Sequence, residues 1–470
     1  MHNSYHFPIE INVKTSHNTN SSQSKIIPKF ILKNANWEKF STCLDKELNN
    51  KVFTENSNKS AATFSKAIKT AANISIPQST YISFSKTPWW NQNLSLLRQD
   101  KMKKWQDFKQ CRSVENLIAY KKANATFRKS ARKQKYDSFI AFTGQINRDS
   151  SIKDLWNKVN KLSRRNTSQN IMAINTSNNT LTENIDIANH FAIEWSTYSS
   201  NENFSSEFNR KKTEGYSLTV DQAKNNSAIT IEDPIIYSEL QSCFSKVKGN
   251  TPGADRISYK MLKSMSFNCK LKLLELYNTI FETYVIPQSW KIATVIPIPK
   301  GDSDRASVKG YRPISLISCL SKVLERIIAN RLSWFTEKNQ LIAINQVAFK
   351  PNKGCQDALL FIDHFIQSSL IKQSHTTILS MDFEKAFDRI GAHVVLQKLK
   401  EWGVGPKIFN FIRSFLKNRK IRTRINNTYS EIQSLENGIP QGSPLSVVLF
   451  SIAFNEISTI INKNPYLNHC

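Results

Sequence analysis

The segment Asp382-Phe383-Glu384-Lys385-Ala386-Phe387-Asp388 follows Thr376 to Met381, a run that reads as a buried β-strand. A carboxylate at the C-terminal end of a sheet strand can hold a divalent cation against a triphosphate. Two-metal phosphoryl transfer needs further carboxylates from a neighbouring strand. A lone strand-end aspartate ordinarily caps a helix; the whole heptapeptide is far more specific. A second segment, Asn437-Gly438-Ile439-Pro440-Gln441-Gly442-Ser443-Pro444-Leu445-Ser446, opens an apolar helix near Pro444. Gly438 and Pro440 make a turn and Gly442 permits close backbone approach, so the junction can lie flat under a nucleotide. A plain capped helix accounts for Ser443 and Pro444 but leaves Pro-Gln-Gly unexplained. A third pair of segments, Val295 to Gly301 and Gly310-Tyr311-Arg312-Pro313-Ile314-Ser315-Leu316, reads as a β-hairpin carrying Lys300 and Arg312 on its arms. Cations so placed can clamp phosphates, although charged hairpin ends are ordinary.

These segments need a scaffold, and the second half of the 470 residues offers one. From Ile231 apolar density rises and helical and strand patterns alternate, with a helix expected over Leu320 to Phe335. The main domain boundary is therefore expected at residue 231. The first half is polar and broken. Ser16 to Ser24 has a linker composition, and weak helical periodicity runs over Asn36 to Ala71. Trp89 to Arg165 is densely basic with a helical pattern. There Trp105, Phe108, Tyr120, Phe127, Tyr136 and Phe139 interleave with Lys121, Lys122, Arg128, Lys129, Arg132 and Lys133. The aromatics are expected to be the core of a helical hairpin, and the cations to contact nucleic-acid phosphates.

Lys plus Arg number 65 and Asp plus Glu 37, a net charge of +28 that implies a polyanionic partner. No apolar run reaches membrane-spanning length, and Met1 to Asn12 lacks a basic-then-apolar signal pattern, so an intracellular protein, nuclear or cytoplasmic, is expected. The seven cysteines form no Cys-x-x-Cys pair and read as reduced buried thiols.

Taken in order, the three segments resemble the reverse transcriptases of non-LTR, LINE-type, jockey-like retrotransposons. Lys248-Gly249-Asn250-Thr251-Pro252-Gly253-Ala254-Asp255, Asn345 to Lys350 and the helical stretch Leu399 to Leu416 match as well. The resemblance covers roughly residue 231 to the end. Pro88-Trp89-Trp90-Asn91 and the basic helices look like the family's connector, and Ser4-Tyr5-His6-Phe7-Pro8-Ile9 like the last strand of its endonuclease. The implied fold is α+β: an endonuclease remnant over 1–13, a linker with short helices over 14–88, a basic helical connector over 89–230, and fingers with a partial right-hand palm over 231–470.

The resemblance also implies roles. Asp382 would be a catalytic, metal-binding aspartate, with the Phe383 carbonyl as a second ligand to Mg²⁺. Phe387 would be the aromatic gate beneath the sugar, Gln441 and Gly442 would line the incoming nucleotide, and Lys300 and Arg312 would grip its triphosphate. Asp388 would orient the loop. The implied activity is RNA-directed DNA synthesis on an RNA template from a DNA primer or target, using deoxynucleoside triphosphates. Three departures stand out. Ala348-Phe349-Lys350 replaces the family's Gly-Phe-Arg, Tyr5 replaces an aspartate, and the family's Tyr-Ala-Asp-Asp segment is not among the residues. A chain without it is expected to show no primer extension of its own. The alternatives are a non-enzymatic nucleic-acid-binding remnant and, against the Trp-Trp connector, a group II intron maturase.

Overall fold

The computed structural model describes residues 28–49, 51–79, 89–144, 155, 171–177, 179–220, 231–247, 249, 251–301, 304–350 and 352–462, the side chains of 458–462 excepted. The expected endonuclease remnant, with His6, and part of the basic segment, 145–154 and 156–165, lie outside the described residues. The chain forms two compact units: Met1–Gln78 with Asn170–Cys470, and Ser79–Gln169.

The larger unit begins with strand β1 (Lys29–Phe30), helices α1 (Trp37–Leu48) and α2 (Ser57–Ser75) and strand β2 (Gln78–Ser79), whose last residue is at the unit's edge. Asparagines start both helices: the Asn36 and Asn56 side chains accept from the Lys39 and Lys59 amides at 2.9 and 3.1 Å. Phe40, Leu44, Phe64 and Ile68 recur at helical spacing and are fully buried. They share one core with residues far downstream. The helical periodicity expected over Asn36 to Ala71 is thus present as α1 and α2, and these short helices of the 14–88 segment belong to a core rather than to a linker.

The smaller unit is a helical hairpin of α3 (Gln92–Gln110) and α4 (Val114–Gly144). Trp105 meets Tyr120 at 4.8 Å and Trp90 meets Phe127 at 6.2 Å between ring centroids. Only Leu94 and Ala123 are buried among its described helical residues, and Tyr136 is 65% exposed. The aromatics therefore line a seam, and the expected core shrinks to it.

The larger unit resumes with strands β3 (Ile174–Asn175) and β4 (Thr180–Leu181), then α5 (Asn184–Thr197) and α6 (Ser206–Ser217). Ile187, Phe191 and Trp195 of α5 pack on the sheet described next. The expected boundary at 231 thus lies inside this unit, because three apolar residues at four-residue spacing outweigh a polar composition. Then come α7 (Tyr237–Lys246), α8 (Tyr259–Lys263), α9 (Phe267–Thr283), β5 (Ile292–Pro299), β6 (Tyr311–Leu316), α10 (Cys319–Lys338) and α11 (Cys355–Ile371). The last elements are α12 (Ala386–Arg389), α13 (Ala392–Glu401), α14 (Pro406–Leu416), β7 (Arg419–Ile425), β8 (Thr428–Tyr429), β9 (Gln433–Leu435) and α15 (Pro444–Asn462).

The sheet runs β6-β5-β7-β8, with β9 also on β7. β5 pairs antiparallel with β6, Ile298 opposite Arg312, and parallel with β7, Val295 opposite Thr423. Pairing with β7 stops before Pro297, which has no N–H to donate. α11 buries none of its residues, and Leu359, Leu360 and Ile371 are 64, 69 and 83% exposed. Among the described residues no helix is long and apolar enough to cross a membrane.

Candidate active site

The expected strand Thr376 to Met381 does not form. A strand needs a neighbour for its backbone groups, and none of the described residues supplies one. Ile378, Leu379 and Met381 are 59, 78 and 65% exposed, and Asp382 and Phe383 are exposed after them. Asp382 and Phe383 line a groove of about 420 Å³ with Phe208, Phe450 and Phe454.

Downstream, the segments converge. The Ile439 amide donates to the Phe387 carbonyl at 2.8 Å and the Gly438 amide to the Ile390 carbonyl at 2.9 Å. Gln441 Nε2 donates to Asp388 Oδ2 at 3.2 Å. On the other side the Ser315 amide donates to the Gln441 carbonyl at 3.0 Å. The Pro-Gln-Gly loop is thus wedged between strand β6 and the segment through α12. Gly438 and Gly442 have φ of +84° and +120°, where a side chain is strained. A Cβ there would lie 2.5 Å from the Asp388 carbonyl oxygen and 2.7 Å from that of Ser315.

The wedge floors a cleft of about 470 Å³ lined by Phe387, Gln441 and Gly442 together with Tyr259, Lys322, Arg326 and Ser446. The Phe387 ring stacks on Phe450 at 4.7 Å and 17°. Behind the cleft, the buried Glu325 accepts from Ser321 Oγ at 2.5 Å and from Ser443 Oγ, tying the loop to α10. Arg326 Nε and Ser446 Oγ are buried without a partner among the described residues. Unpaired polar atoms on a cleft wall suit a polar occupant.

The expected hairpin is present, and the Lys300 amide closes it on the Gly310 carbonyl at 2.8 Å. Neither Lys300 nor Arg312 lines the cleft; Arg312 is exposed on β6. The cations that do line it, Lys322 and Arg326, escaped the sequence reading. Their signal was available: four residues apart, they share a face of a helix already expected. Lys350 turns inward, its ammonium on the Ala343 carbonyl at 2.7 Å.

Burial pushes the Asp388 carboxyl up to about 6, against the lowering effects of Lys385 and Gln441. A folded-state value above the ordinary 3.8 means that folding takes up a proton between about 4 and 6. The Asp388 contribution to stability is therefore largest below pH 4, falls as pH rises to 6, and is flat above. Asp388→Asn is expected to remove this fall. Urea midpoints at pH 4.5 and 7.5 check it: an equal fall in both proteins would refute the assignment to Asp388.

A family model described as reverse transcriptase (RNA-dependent DNA polymerase) matches residues 298–470. The chain is 28% identical over 242 residues to a probable RNA-directed DNA polymerase from transposon BS of Drosophila melanogaster, covering 51% of this chain and 27% of that protein. It is 30% identical over 221 residues to the RNA-directed DNA polymerase from mobile element jockey of Drosophila funebris, with 47% and 24% covered. A Pol polyprotein from the type-1 retrotransposable element R2 of Popillia japonica is 24% identical over 233 residues, with 49% and 31% covered. The chain therefore spans only about a quarter to a third of these relatives' lengths, from 24 to 31%.

Proposed function

We propose, from the premise that the chain belongs to the reverse transcriptases of non-LTR retrotransposons, that its cleft receives a deoxynucleoside triphosphate and the template base opposite it. The parent activity is RNA-directed DNA synthesis, with an RNA template and a DNA primer as partners. One observation carries the reading: Phe387 and the adjacent pair Gln441 and Gly442, remote from it in sequence, line one cleft with two cations and no acid. In this reading β5 and β6 belong to the fingers, and α12 and α15 to the palm.

The residues take separate tasks. Gly442 lets the nucleotide approach backbone, and Gln441, held by Asp388, contacts its base or sugar. Phe387, braced by Phe450, closes the space where a 2′-hydroxyl would stand. Lys322 and Arg326 neutralise phosphates; Lys300 and Arg312, at the hairpin end, remain the proposed grip on the triphosphate. Mg²⁺ is the family's expected metal, for which Asp382 offers one carboxylate and Phe383 one carbonyl. Among the described residues no three His, Cys, Asp or Glu converge on a metal site. These residues alone do not build the two-ion centre, and no step is derived through it.

The test is sugar choice measured as binding. Phe387→Val is expected to narrow the preference for deoxy- over ribonucleoside triphosphate by about tenfold, the worth of roughly 1.4 kcal/mol. Equilibrium titration of both nucleotides against wild type and variant, with template and primer present, reads it. An unchanged ratio would make Phe387 a core aromatic and withdraw the gate.

The hairpin unit supports a separate role. Lys121, Lys122, Arg128, Lys129, Arg132 and Lys133 are all exposed. Their spacings of seven and four place them in one stripe along α4. We assign this stripe to phosphate contacts without sequence preference. Replacing Arg128, Lys129, Arg132 and Lys133 by alanine should flatten the dependence of log K on log salt for single-stranded RNA by up to about 3, at about 0.7 per lost contact. A slope equal to wild type would leave the stripe as solvated surface.

A further inference from the structure

The turn from Thr251 to Asp255 lines no part of the cleft; it is seated on the start of α10. A Cβ on Gly253 would lie 2.7 Å from both the Ile317 carbonyl carbon and the Ser318 nitrogen, so backbone meets backbone there. Asp255 holds the junction. Its Oδ2 accepts from Ser318 Oγ at 2.5 Å and its Oδ1 from the Ile257 amide at 3.1 Å. Ser318 Oγ in turn accepts from the Leu320 amide at 3.2 Å and is the N-cap of α10. A serine hydroxyl has a single proton and two lone pairs. While the proton points at Asp255, a lone pair is free to face the helix amide. Without that acceptor the hydroxyl rotates, and the cap loses its orientation.

The first turns of α10 show the cleft only two side chains. From Ile317 to Ala329 every residue is buried except Lys322 and Arg326, and both line the cleft. They follow Ser318 by four and eight residues and so share its face of the helix. The Lys322 amide opens the helical ladder on the Ser318 carbonyl at 3.0 Å. On the reverse side Ser321 donates to Glu325 at 2.5 Å, and Glu325 also takes Ser443 at the head of α15. A first turn without its cap leaves amide groups unpaired and frays, and Lys322 is the first cation that moves with it.

We propose that Asp255 is a positioning residue for the phosphates of the bound nucleotide. It orients Ser318, Ser318 fixes the first turn of α10, and that turn sets Lys322 and Arg326 against the cleft. The proposal rests on the reading of the cleft as a nucleotide site. The competing role is a staple that holds the fold and nothing more. A staple costs stability without distinguishing one nucleotide from another, whereas a residue that places cations acts on the number of phosphates bound.

The experiment is equilibrium titration of the full chain, with template and primer present, by a deoxynucleoside triphosphate and by the corresponding monophosphate, alongside melting curves. Asp255→Ala and Ser318→Ala are each expected to cut the preference for triphosphate over monophosphate by about tenfold. The double variant should lose no more than Ser318→Ala alone, because the two act in series. Ser318→Thr keeps a hydroxyl and should keep the preference. Asp255→Asn keeps one acceptor oxygen and should lose about threefold, a readout that stands even where the alanine variants do not fold. In a Lys322→Ala/Arg326→Ala background, Asp255→Asn should leave the remaining preference unchanged. An equal loss for both nucleotides, or a lower melting temperature with the preference intact, would reduce Asp255 to a staple and leave the cleft reading standing. A further loss of preference from Asp255→Asn in that background would also overturn the proposal, since the effect would not pass through the cations. No triphosphate preference in the wild type would overturn both.

Discussion

Arg331→Met should destabilise the chain by about 3–5 kcal/mol, a large part of the stability of a typical domain. Arg331 is 9% exposed, and all five of its N–H bonds are used. Nε and Nη2 form a fork on Glu239, each at 2.7 Å. Nη1 donates to the Ile231 and Asp233 carbonyls at 3.0 and 2.5 Å, and Nη2 also to Pro234 at 3.1 Å. One side chain of α10 thus satisfies the whole turn that leads into α7. Methionine keeps the volume but strands one carboxylate and three carbonyls, and the unpaired groups carry most of the cost. Arg331→Lys should recover less than half, because an ammonium has three donors and no planar fork. Adding Glu239→Leu to Arg331→Met should recover part of the loss. Urea midpoints decide it; a loss below about 1 kcal/mol would mean that water replaces the guanidinium freely.

Gly442→Ala should reduce nucleotide binding in the cleft by at least tenfold, and Gly438→Ala should do the same from the other side of the loop. Both glycines combine a backbone conformation that side chains avoid with a neighbouring carbonyl in the space a Cβ needs. Strain of this kind costs on the order of 1–3 kcal/mol. The loop can relieve it only by leaving β6 or the α12 segment, which carries Gln441 out of position. Gly301→Ala is the control. Nothing lies within 4 Å of its Cβ position, and binding should be unchanged. Titration with a fluorescent nucleotide, alongside melting curves, separates a displaced loop from an unfolded chain. Wild-type affinity in Gly442→Ala would show that the Ser315 contact does not set the loop.

The parts legible from sequence were those whose signal is local. Pro-Gln-Gly, the hairpin with Arg312 and the helix of α10 each announce themselves within about twenty residues. Their convergence in one cleft was implied only by the family resemblance; the hydrogen bonds that hold it, between Ser315, Gln441 and Asp388, join residues far apart in the chain and have no local signal. Thr376 to Met381 failed for the opposite reason. Its apolar residues signal a preference for burial, but a strand is a property of two segments, and the described residues provide only one. Asn36 to Ala71 was legible as helical from its apolar spacing, but that its helices join a core formed with residues far downstream was not, since that packing has no local signal.

The packing of α1 and α2 against α9 sets a timetable for synthesis. Asp45 accepts a hydrogen bond from Ser266 at 2.5 Å, and the two residues are 221 apart in the chain. At the usual 5–20 residues per second, α1 waits about 10–45 s for the helix that covers it. Through that interval Phe40, Leu44, Phe64 and Ile68 have only the pairing of α1 with α2 to cover them, while the whole α3–α4 hairpin emerges behind them. A recombinant piece that starts after residue 79 avoids the wait, but it leaves bare the face of α9 that these helices cover.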